Sequence, residues 1–485
     1  MAELAYRTAT ELAGMLRRRE VSSRELLELL LARVAKHGKA LNAVVTLDEE
    51  RARADAAAAD DELARGRLRG PLHGLPITIK DTFETAGLRT TAGAPELSTH
   101  VPERDADAVA RLRRAGAIVF GKTNVPFMAG DWQSFNAIFG TTNNPWNPAR
   151  VPGGSSGGAA AAVAAGETPL ELGSDIGGSI RVPSHWSGVF GHKPTWGIVP
   201  QRGHIPPPPG MLAAPDLNVC GPIARSVDDL ELALGALAGP GELDAAGWRL
   251  ELPPARRTEL RDYRVGACFH SDAYPVDASV RALLEAAVER LRRAGTTVRS
   301  FAQPPFDIAA ARRAYDTLLM PLMAASFPAE AIAQFRALAQ SAPANSDDPA
   351  VVTARAFTAS HADWLRANEE RERLRAQLHH LFGEIDVLLV PVNQLPAIPH
   401  MQETPMPLRT LQVNGKTIPY TDLLGWIAPT TMCKLPASVV PVGRTPDGLP
   451  VGIQIVGSHL EDRTTLDFAR RLAELSGGFT PPPGF

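Results

Sequence analysis

VPGGSSGGAAAAVAAGETPLELGSDIGGSIRVPSHWSGVFGHKPTWG, residues 151–197, is the most unusual stretch of the sequence and the one that best indicates its fold. Two glycine-rich turns, each with serine, flank an alanine-rich helix and a short strand. The first turn, 153–158, opens the helix, and the second, 175–179, follows the strand. Clustered glycines let backbone N–H groups converge on one anion, because no Cβ blocks the approach. The stretch therefore predicts an anion site where strands and helices alternate.

Strands and helices also alternate on both sides of this stretch. Apolar runs at 75–79 and 117–120 predict strands around a helix at 105–115, and the pattern returns at 264–269, 279–294 and 298–301. Further strands are predicted at 387–390, 437–442 and 452–456, before a last helix near 461–475. Such alternation is typical of an α/β fold around a largely parallel sheet.

Two regions are predicted to be helical. In the first 70 residues, Ser22 to Glu25 forms a capping box ahead of the apolar stripe at 26–34. Residues 305–382 are predominantly helical in pattern, apart from a polar break at 342–349. No linker separates these parts clearly. We therefore expect a single domain over 1–485, with N-terminal helices at 1–70, a catalytic core at 71–200 and a helical cover at 305–382.

Composition excludes several classes of protein. The 50 Lys and Arg against 53 Asp and Glu leave a formal charge of −3, which offers no general field for a nucleic-acid backbone. No apolar run reaches the roughly 18 residues of a membrane span, and the charged N-terminus lacks a signal-peptide core. Three cysteines without CxxC spacing argue against disulfides and a zinc site. We expect a cytoplasmic protein.

Convergent N–H groups beside a serine are typical of an oxyanion hole next to a nucleophile, and Ser179 ends the second turn. Phosphate is the other candidate anion, but neither turn carries the P-loop pattern GxxxxGK[ST] and neither contains lysine. A serine nucleophile needs a base. His185 and His192 are the nearby histidines. Lys80 is the competing candidate, since it directly follows the apolar run at 75–79.

Lysine usage draws attention to Lys80. Arginine supplies most of the 50 basic residues, and only seven are lysine: Lys36, Lys39, Lys80, Lys122, Lys193, Lys416 and Lys434. Arginine does not give up its proton, whereas burial lowers the pKa of a lysine from about 10.4 and makes it a usable base. Lys122 and Lys193 are the rival bases. The other interpretation of Lys80 is an ion pair with Asp81.

Several motifs together resemble the amidase signature family. They are GLPITIKD at 74–81, GKTN at 121–124, FGTTNNPWNP at 139–148, PGGSSGG at 152–158 and GSDIGGSIRVP at 173–183, with looser matches at 435–443 and 447–457. The resemblance implies an α/β/α sandwich with a large mixed, mostly parallel central sheet. It also implies hydrolysis of carboxamides through a Ser-Ser-Lys triad in place of Ser-His-Asp.

Carried over by motif, the resemblance implies that Lys80 is the base, Ser155 the bridging serine after a cis Gly154–Ser155 peptide, and Ser179 the nucleophile. An acyl-enzyme would form and be released by water, with no metal or organic cofactor. The oxyanion would be held by the N–H groups of Ile176, Gly177, Gly178 and Ser179. Supporting residues would be Ser156, Ser174, Asp175 and Arg181, with the last two as a salt bridge that braces the oxyanion loop or as an ordinary ion pair.

The resemblance also implies where substrate binds. The acyl pocket would be lined by Met128, Ala129, Gly130, Asp131 and Trp132, and Asp131 would face a polar or cationic substrate group, or water. Met128 and Trp132 favour an apolar or aromatic substrate. Residues 305–382 and the loop Pro206 to Pro209 are candidates for the pocket rim.

The sequence departs from the family pattern at three places. Ser187 stands where Cys is frequent, His192 where an apolar residue is usual, and TTMCKLPAS at 430–438 replaces N-x-x-GLPA. None of these places includes Lys80, Ser155 or Ser179. The departures therefore bear on the choice of substrate and not on the type of reaction.

We predict an amidase that hydrolyses a carboxamide to a carboxylate and an amine or ammonia, with esters, anilides and carbamates as further substrates. Its substrate would be a small-molecule amide, without nucleic acid or membrane, and the family suggests a homodimer. The alternative is the amidase-like subunit of an aminoacyl-tRNA amidotransferase, which releases ammonia from glutamine in a tRNA-dependent complex.

Three other interpretations are weaker. Gly153 to Gly157 also satisfies GxSxG, the nucleophile elbow of α/β-hydrolases, which would make Ser155 the nucleophile. That elbow requires a buried strand before it, whereas NPWNPARVP is rich in proline and polar residues. The SxxK motif of penicillin-binding enzymes is absent. A non-catalytic binding protein on an amidase scaffold would have no need of three intact triad positions.

Overall fold

The computed structural model describes residues 2–325, 327–346 and 348–485. Its strands are β1 (Val44–Leu47), β2 (Pro76–Lys80), β3 (Ile118–Thr123), β4 (Phe135–Asn136), β5 (Gly140–Thr141), β6 (Leu170–Asp175), β7 (Phe190–Lys193), β8 (Val219–Ala224), β9 (Arg264–Ala267), β10 (Thr297–Ser300), β11 (Val387–Pro391), β12 (Thr410–Val413), β13 (Lys416–Pro419), β14 (Ala437–Arg444) and β15 (Pro450–Val456). Strands β2, β3, β6 and β8 are buried along their whole length, as expected where helices cover both faces of a sheet.

Eleven of these strands form one sheet in the order β1-β3-β2-β6-β8-β7-β14-β15-β11-β9-β10, while β4–β5 and β12–β13 form separate hairpins. Parallel ladders join β3, β2 and β6 near one end of the sheet and β11, β9 and β10 at the other. Antiparallel ladders connect these two blocks through β8, β7, β14 and β15. The predicted α/β fold with a large mixed central sheet is confirmed, and parallel pairing is confined to the two blocks.

Helices cover both faces of the sheet and complete an α/β/α sandwich. They are α1 (Ala2–Ala5), α2 (Ala9–Arg17), α3 (Ser23–Leu41), α4 (Glu49–Ala64), α5 (Asp107–Arg114), α6 (Gly157–Ala164), α7 (Arg181–Ser187), α8 (Val227–Leu237), α9 (Ala278–Arg293), α10 (Ile308–Ala324), α11 (Ala329–Ser341), α12 (Pro349–Phe357), α13 (His361–Glu384), α14 (Ala428–Met432) and α15 (Asp462–Ser476). The predicted capping box is confirmed at the start of α3, where Ser22 and Glu25 each accept the backbone N–H of the other.

Two central helices, α6 and α7, carry the glycine-rich turns, and every residue of both is buried. They pack on each other, α6 on β6 and β8 and α7 on β7, β14 and β15. Helix α6 is apolar on all sides, as expected for a helix inside the core of a large protein. Close packing explains the small residues: a Cβ on Gly158 would lie 2.4 Å from the backbone N of Asn124. The serines at the two turns are therefore held by rigid elements.

Three sequence predictions need correction or completion. The first 70 residues are not all helical, because β1 pairs antiparallel with β3 at the edge of the sheet. Strands β7 and β8 were not predicted, although they lie at the centre of the sheet. The helical pattern of 305–382 corresponds to α10 to α13, and the polar break ends where α12 begins at Pro349. Residue 347 of that break lies outside the described residues.

Two further observations concern helix length and the cysteines. Among the residues that the structure describes, no helix combines the length and apolarity that a membrane crossing requires. Cys220, Cys268 and Cys433 are all buried free thiols. Cys220 lies opposite Ser174 in the ladder between β6 and β8.

A methyl group at Gly158 should destabilise the fold. Gly158→Ala forces a Cβ against backbone atoms of Asn124 that cannot move aside, and we expect the free energy of unfolding to fall by about 1–3 kcal/mol. Gly235, in the last turn of α8, is the matched control, because a Cβ there meets nothing within 4 Å. Gly235→Ala should stabilise by roughly 0.5–1 kcal/mol. Urea unfolding of both variants measures this, and equal effects would contradict the packing described for α6.

Candidate active site

Strand β2 ends at Lys80, whose side chain reaches the first glycine-rich turn. Lys80 Nζ lies 2.7 Å from Ser155 Oγ and 2.9 Å from Ser174 Oγ, and the lysine is fully buried. Burial lowers the pKa of Lys80 to about 7, although Asp175, Cys220 and Glu171 act in the opposite direction. A neutral amine in contact with a serine hydroxyl is chemically able to accept its proton.

The two glycine-rich turns meet at the serines. The Gly154–Ser155 peptide is cis, as the resemblance implies, and the Ser156 N–H donates to the Ser179 carbonyl oxygen at 3.2 Å. Ser156 Oγ also donates to the carbonyl oxygen of Ser174 at 3.4 Å. Among the described residues, no group hydrogen bonds with the Ser179 hydroxyl, and the contact between the two turns runs through the Ser156 N–H. Catalytic hydrogen bonds are often long in ligand-free enzymes and tighten when substrate binds.

The second turn presents backbone N–H groups around Ser179. Asp175 takes one of the four predicted donors, because Gly178 N–H donates to its carboxylate at 2.9 Å. Within the described chain, the N–H groups of Ile176, Gly177 and Ser179 donate to no other group. Three of the four predicted oxyanion donors are therefore free, and Gly178 instead shapes the turn.

A buried ion pair holds the second turn. Arg181 Nη2 lies 2.9 Å from one carboxylate oxygen of Asp175 and Arg181 Nε lies 3.0 Å from the other. Burial would raise the pKa of Asp175, but Arg181 and the N–H donors outweigh it and lower that pKa to about 2. Arg181 also donates to Gln454 Oε1 at 2.7 Å and to the Ile427 carbonyl oxygen at 3.2 Å. The predicted pair is present, and it fastens the turn to the C-terminal part of the sheet.

The predicted substrate segment, 128–132, lies against both turns. A Cβ on Gly154 would lie 2.4 Å from the backbone oxygen of Asp131, so only glycine fits there. Trp132 Nε1 donates to the Gly177 carbonyl oxygen at 2.8 Å. Met128 and Ala129 have left-handed φ values of 47° and 57°, which bend the segment sharply. The segment therefore borders the turn that contains Ser179.

Asp131 has partners within the protein. Tyr420 Oη donates to its carboxylate at 2.6 Å, and Arg409 Nη1 donates to the other oxygen. The carboxylate is therefore paired within the protein, and its role toward a substrate cation or water stays a prediction. The tyrosine ring also packs on Trp132, with centroids 5.2 Å apart.

The rival bases lie elsewhere. Lys122 Nζ donates to the Phe83 carbonyl oxygen, to Thr85 Oγ1 at 3.1 Å and to Thr90 Oγ1 at 3.0 Å. It lies 3.9 Å from Asp81, so that carboxylate pairs with Lys122 and not with Lys80. The proposed Lys80–Asp81 pair is thus corrected.

The remaining candidates also have structural partners. Among the described residues, Lys193 Nζ donates only to the Pro194 carbonyl oxygen, at 3.0 Å, and burial lowers the pKa of Lys193 to about 7. His192 contacts Ser438 and Asp462. His185 Nε2 lies 3.0 Å from the Leu395 carbonyl oxygen, and its Nδ1 accepts the Gly452 N–H. None of them hydrogen bonds with Ser155 or Ser179 in the part of the chain that the structure describes.

Sequence reasoning missed two residues that contact this site. Tyr315, on α10, donates its hydroxyl to the Ile176 carbonyl oxygen at 2.7 Å, on the turn that Trp132 also holds. His204 Nε2 lies 2.8 Å from Ser174 Oγ. Neither belongs to a motif of the resemblance, although His204 stands two residues before the loop at 206–209 and Tyr315 lies within 305–382.

The fold and this arrangement are those of enzymes that act on amide bonds. A family model described as Amidase matches residues 25–466. The chain belongs to the amidase family. A glutamyl-tRNA(Gln) amidotransferase subunit from Thermosynechococcus vestitus is 34% identical over 477 residues, which cover 95% of this chain and 96% of that protein.

Solved structures of similar proteins superpose on this fold. A bacterial aryl acylamidase of the amidase signature family superposes with a TM-score of 0.79 at 26% identity, covering 97% of this chain and 96% of that one. The corresponding glutamyl-tRNA(Gln) amidotransferase subunit of Thermotoga maritima superposes with a TM-score of 0.77 at 25% identity, covering 98% and 97%. The α/β/α sandwich inferred from the motifs is thereby confirmed.

The partner prediction is contradicted by these relatives. We expected a small-molecule amide as the only partner, no nucleic acid, and at most a second copy of the chain. Relatives matched along nearly the whole chain are instead named as one subunit of an enzyme whose name includes a tRNA. The inference from composition was wrong because a net charge averages over the whole surface and does not report local contacts.

Neutralising one member of the buried ion pair should destabilise the fold strongly. Asp175→Asn leaves Arg181 buried without its counter-charge, and we expect a loss of about 3–5 kcal/mol in the free energy of unfolding. Asp228→Asn is the control, since its pair with Arg470 is exposed and such pairs contribute roughly 0–1 kcal/mol. Urea unfolding at pH 7 compares them. Similar losses for both variants would show that the Asp175 pair does not hold the turn.

Proposed function

We propose that this chain cleaves an amide C–N bond through an acyl-enzyme on Ser179, with Ser155 as the relay and Lys80 as the base. The observation that carries the proposal is the 2.7 Å contact between Lys80 Nζ and Ser155 Oγ in a fully buried site. Because burial lowers the pKa of Lys80 to about 7, a large fraction of the amine is neutral at physiological pH. Neutral lysine is the form that accepts a proton.

Acylation begins with a proton relay. Lys80 Nζ accepts the Ser155 hydroxyl proton while Ser155 Oγ accepts that of Ser179, and Ser179 Oγ bonds to the amide carbonyl carbon. The carbonyl oxygen becomes an anion, for which the N–H groups of Ile176, Gly177 and Ser179 are the donors. The proton then returns from Lys80 through Ser155 to the amide nitrogen. The C–N bond breaks, and the amine or ammonia leaves.

Deacylation repeats the relay with water. A water molecule attacks the acyl carbon as its proton passes to Ser155 and the Ser155 proton passes to Lys80. The ester bond to Ser179 then breaks, Ser179 Oγ regains a proton through the same path, and the carboxylic acid leaves. Every proton returns to its origin, so the cycle consumes only the amide and water.

Glutamine is the amide that the relatives favour. Proteins named as subunits of glutamyl-tRNA(Gln) amidotransferase match this chain over 93–96% of its length. In this role the chain works within a complex, releases ammonia from glutamine and supplies it for the amidation of glutamyl-tRNA(Gln). The cytoplasm, where charged tRNA is used, is the compartment that this proposal implies. We propose that residues 1–485 act as a single amidase unit, with the helices at 1–70 and 305–382 around the core at 71–200.

Hydrolysis of an uncharged aryl or alkyl amide is the second candidate. It is favoured by the segment 128–132, where the Asp131 carboxylate is already bonded to Arg409 and Tyr420 and the Trp132 ring packs on Tyr420. A carboxylate that is already paired with an arginine, next to two aromatic rings, suits an uncharged substrate better than the ammonium group of an amino acid. The aryl acylamidase among the structural relatives supports the same candidate.

Loss of the Lys80 amine should abolish serine reactivity. Lys80→Met removes the base while keeping an apolar side chain, and we expect the rate of fluorophosphonate attachment to Ser179 to fall by at least about 100-fold. In the unchanged protein this rate should rise with pH through a midpoint near 7, because the reactive form of Lys80 is the deprotonated one. Peptide mapping identifies the labelled serine.

Lys193→Met is the matched control, since Lys193 is also buried with a pKa lowered to about 7. It should label at nearly the unchanged rate. Loss of labelling in Lys193→Met but not in Lys80→Met would transfer the role of base to Lys193. Labelling at Ser155 in place of Ser179 would contradict the proposed nucleophile.

The choice of substrate can be tested directly. Glutamine should release ammonia when the chain is combined with the other subunits of a bacterial glutamyl-tRNA(Gln) amidotransferase, and Ser179→Ala should release none. Ammonia is measured by coupled glutamate dehydrogenase, and a nitroacetanilide is assayed in parallel by the absorbance of nitroaniline. Anilide cleavage without any glutamine turnover would favour the second candidate.

A further inference from the structure

The hydrogen-bond chain at Lys80 continues beyond the three proposed triad residues. Ser174 Oγ lies 2.9 Å from Lys80 Nζ on one side and 2.8 Å from His204 Nε2 on the other. His204 Nδ1 lies 3.0 Å from the Pro206 carbonyl oxygen. Lys80, Ser174 and His204 are all buried, so these contacts do not compete with bulk water.

The Pro206 carbonyl determines the direction of each hydrogen bond in the series from His204 through Ser174 to Lys80. A carbonyl oxygen only accepts, so His204 Nδ1 carries the hydrogen and Nε2 is left with a lone pair. Ser174 Oγ–H must then donate to His204 Nε2. With its hydrogen used, Ser174 Oγ can only accept from Lys80 Nζ.

This direction matters for the lone pair of Lys80. A neutral amine has two N–H groups and one lone pair, and an N–H faces Ser174. The lone pair is then available to the hydroxyl of Ser155, which is the proton transfer that the proposed function needs. If Ser174 had no other acceptor, its hydroxyl would turn and donate to Lys80, in competition with Ser155.

His204 is fixed relative to Lys80 by the backbone. The Ile205 N–H donates to the Thr82 carbonyl oxygen at 2.7 Å, and the Glu84 N–H donates to the Gly203 carbonyl oxygen at 2.8 Å. The imidazole packs edge-on against Phe83, with ring centroids 4.9 Å apart. The loop that carries His204 is therefore paired with the residues that directly follow Lys80.

We propose that His204 is a positioning residue, which accepts the Ser174 hydroxyl and thereby keeps the lone pair of Lys80 directed at Ser155. This inference rests on the proposed function. Burial, with a further contribution from Lys80, lowers the pKa of His204 to about 3, so the ring stays a neutral acceptor over the working pH range. The other titratable groups that act on Lys80 are Asp175, Cys220 and Glu171. Among the described residues, none of them hydrogen bonds with His204, whose partners are Ser174 and the Pro206 carbonyl.

The test uses the rate of fluorophosphonate attachment to Ser179 as a function of pH, which needs no knowledge of the natural substrate. His204→Phe keeps the ring shape and removes the acceptor. We expect the rate at high pH to fall by about tenfold, the value for losing one hydrogen bond of roughly 1.4 kcal/mol. The midpoint should move to lower pH, because a Ser174 hydroxyl that donates to Lys80 stabilises the neutral amine.

A double-variant comparison separates this role from general damage to the fold. If His204 acts only through Ser174, adding His204→Phe to Ser174→Ala should lower the rate no further. His204→Gln, which offers an amide oxygen as acceptor, should recover most of the rate. Should the phenylalanine variant not fold, His204→Leu, which also lacks an acceptor, gives the same comparison in the presence and absence of Ser174.

His185→Gln is the matched control. His185 is also a buried histidine with one ring nitrogen at a carbonyl oxygen and the other accepting a backbone N–H, but it does not contact Ser174. Its substitution should leave the midpoint unchanged. An unshifted midpoint in His204→Phe, or a further loss in the double variant, would overturn the inference. Absence of labelling at Ser179 in the unchanged protein would instead overturn the proposed function.

Discussion

A buried amine without a counter-ion of its own is the constraint on which the site depends. The carboxylates around Lys80 are each matched or neutralised elsewhere: Asp175 is paired with Arg181, Asp81 lies near Lys122, and burial raises the pKa of Glu171 to about 7. In the described residues the Lys80 amine hydrogen bonds only with hydroxyl groups. Were any of these acids free to approach it, the amine would stay protonated and could not act as a base. The surrounding charges are thus arranged to leave Lys80 without a counter-charge.

The second requirement is that two turns from different parts of the chain meet with little freedom. Helices α6 and α7 are buried on all sides, and glycines permit backbone contacts that a Cβ would block at Gly154 and Gly158. Arg181 then joins the second turn to Gln454 on β15, far along the chain. Trp132 and Tyr315 hold carbonyl groups of the same turn, which orients its N–H groups away from them. Packing and hydrogen bonding therefore act on the same few peptide units.

The sequence predicted the parts of this design that are local. Alternating strands and helices indicated the fold class, and the residue pattern of the two turns indicated the family. The central strands β7 and β8 escaped notice because Phe190–Lys193 is short and polar and Val219–Ala224 contains Gly and Pro. His204 and Tyr315 reach the site only through the topology, which no local pattern encodes. The roles of the site residues and the division into 1–70, 71–200 and 305–382 stay predictions.

The buried lysines also affect how the whole fold responds to alkali. Burial lowers the pKa values of Lys80, Lys122 and Lys193 to about 7, 8 and 7, whereas the same side chains in an unfolded chain titrate near 10.4. Between about pH 8 and pH 10 the unfolded chain therefore binds protons that the native protein does not. Unfolding in that range takes up protons, so the free energy of unfolding rises with pH as far as these three groups are concerned. The same burial that makes Lys80 a base therefore costs the fold stability at neutral pH, and that cost shrinks in mildly alkaline solution.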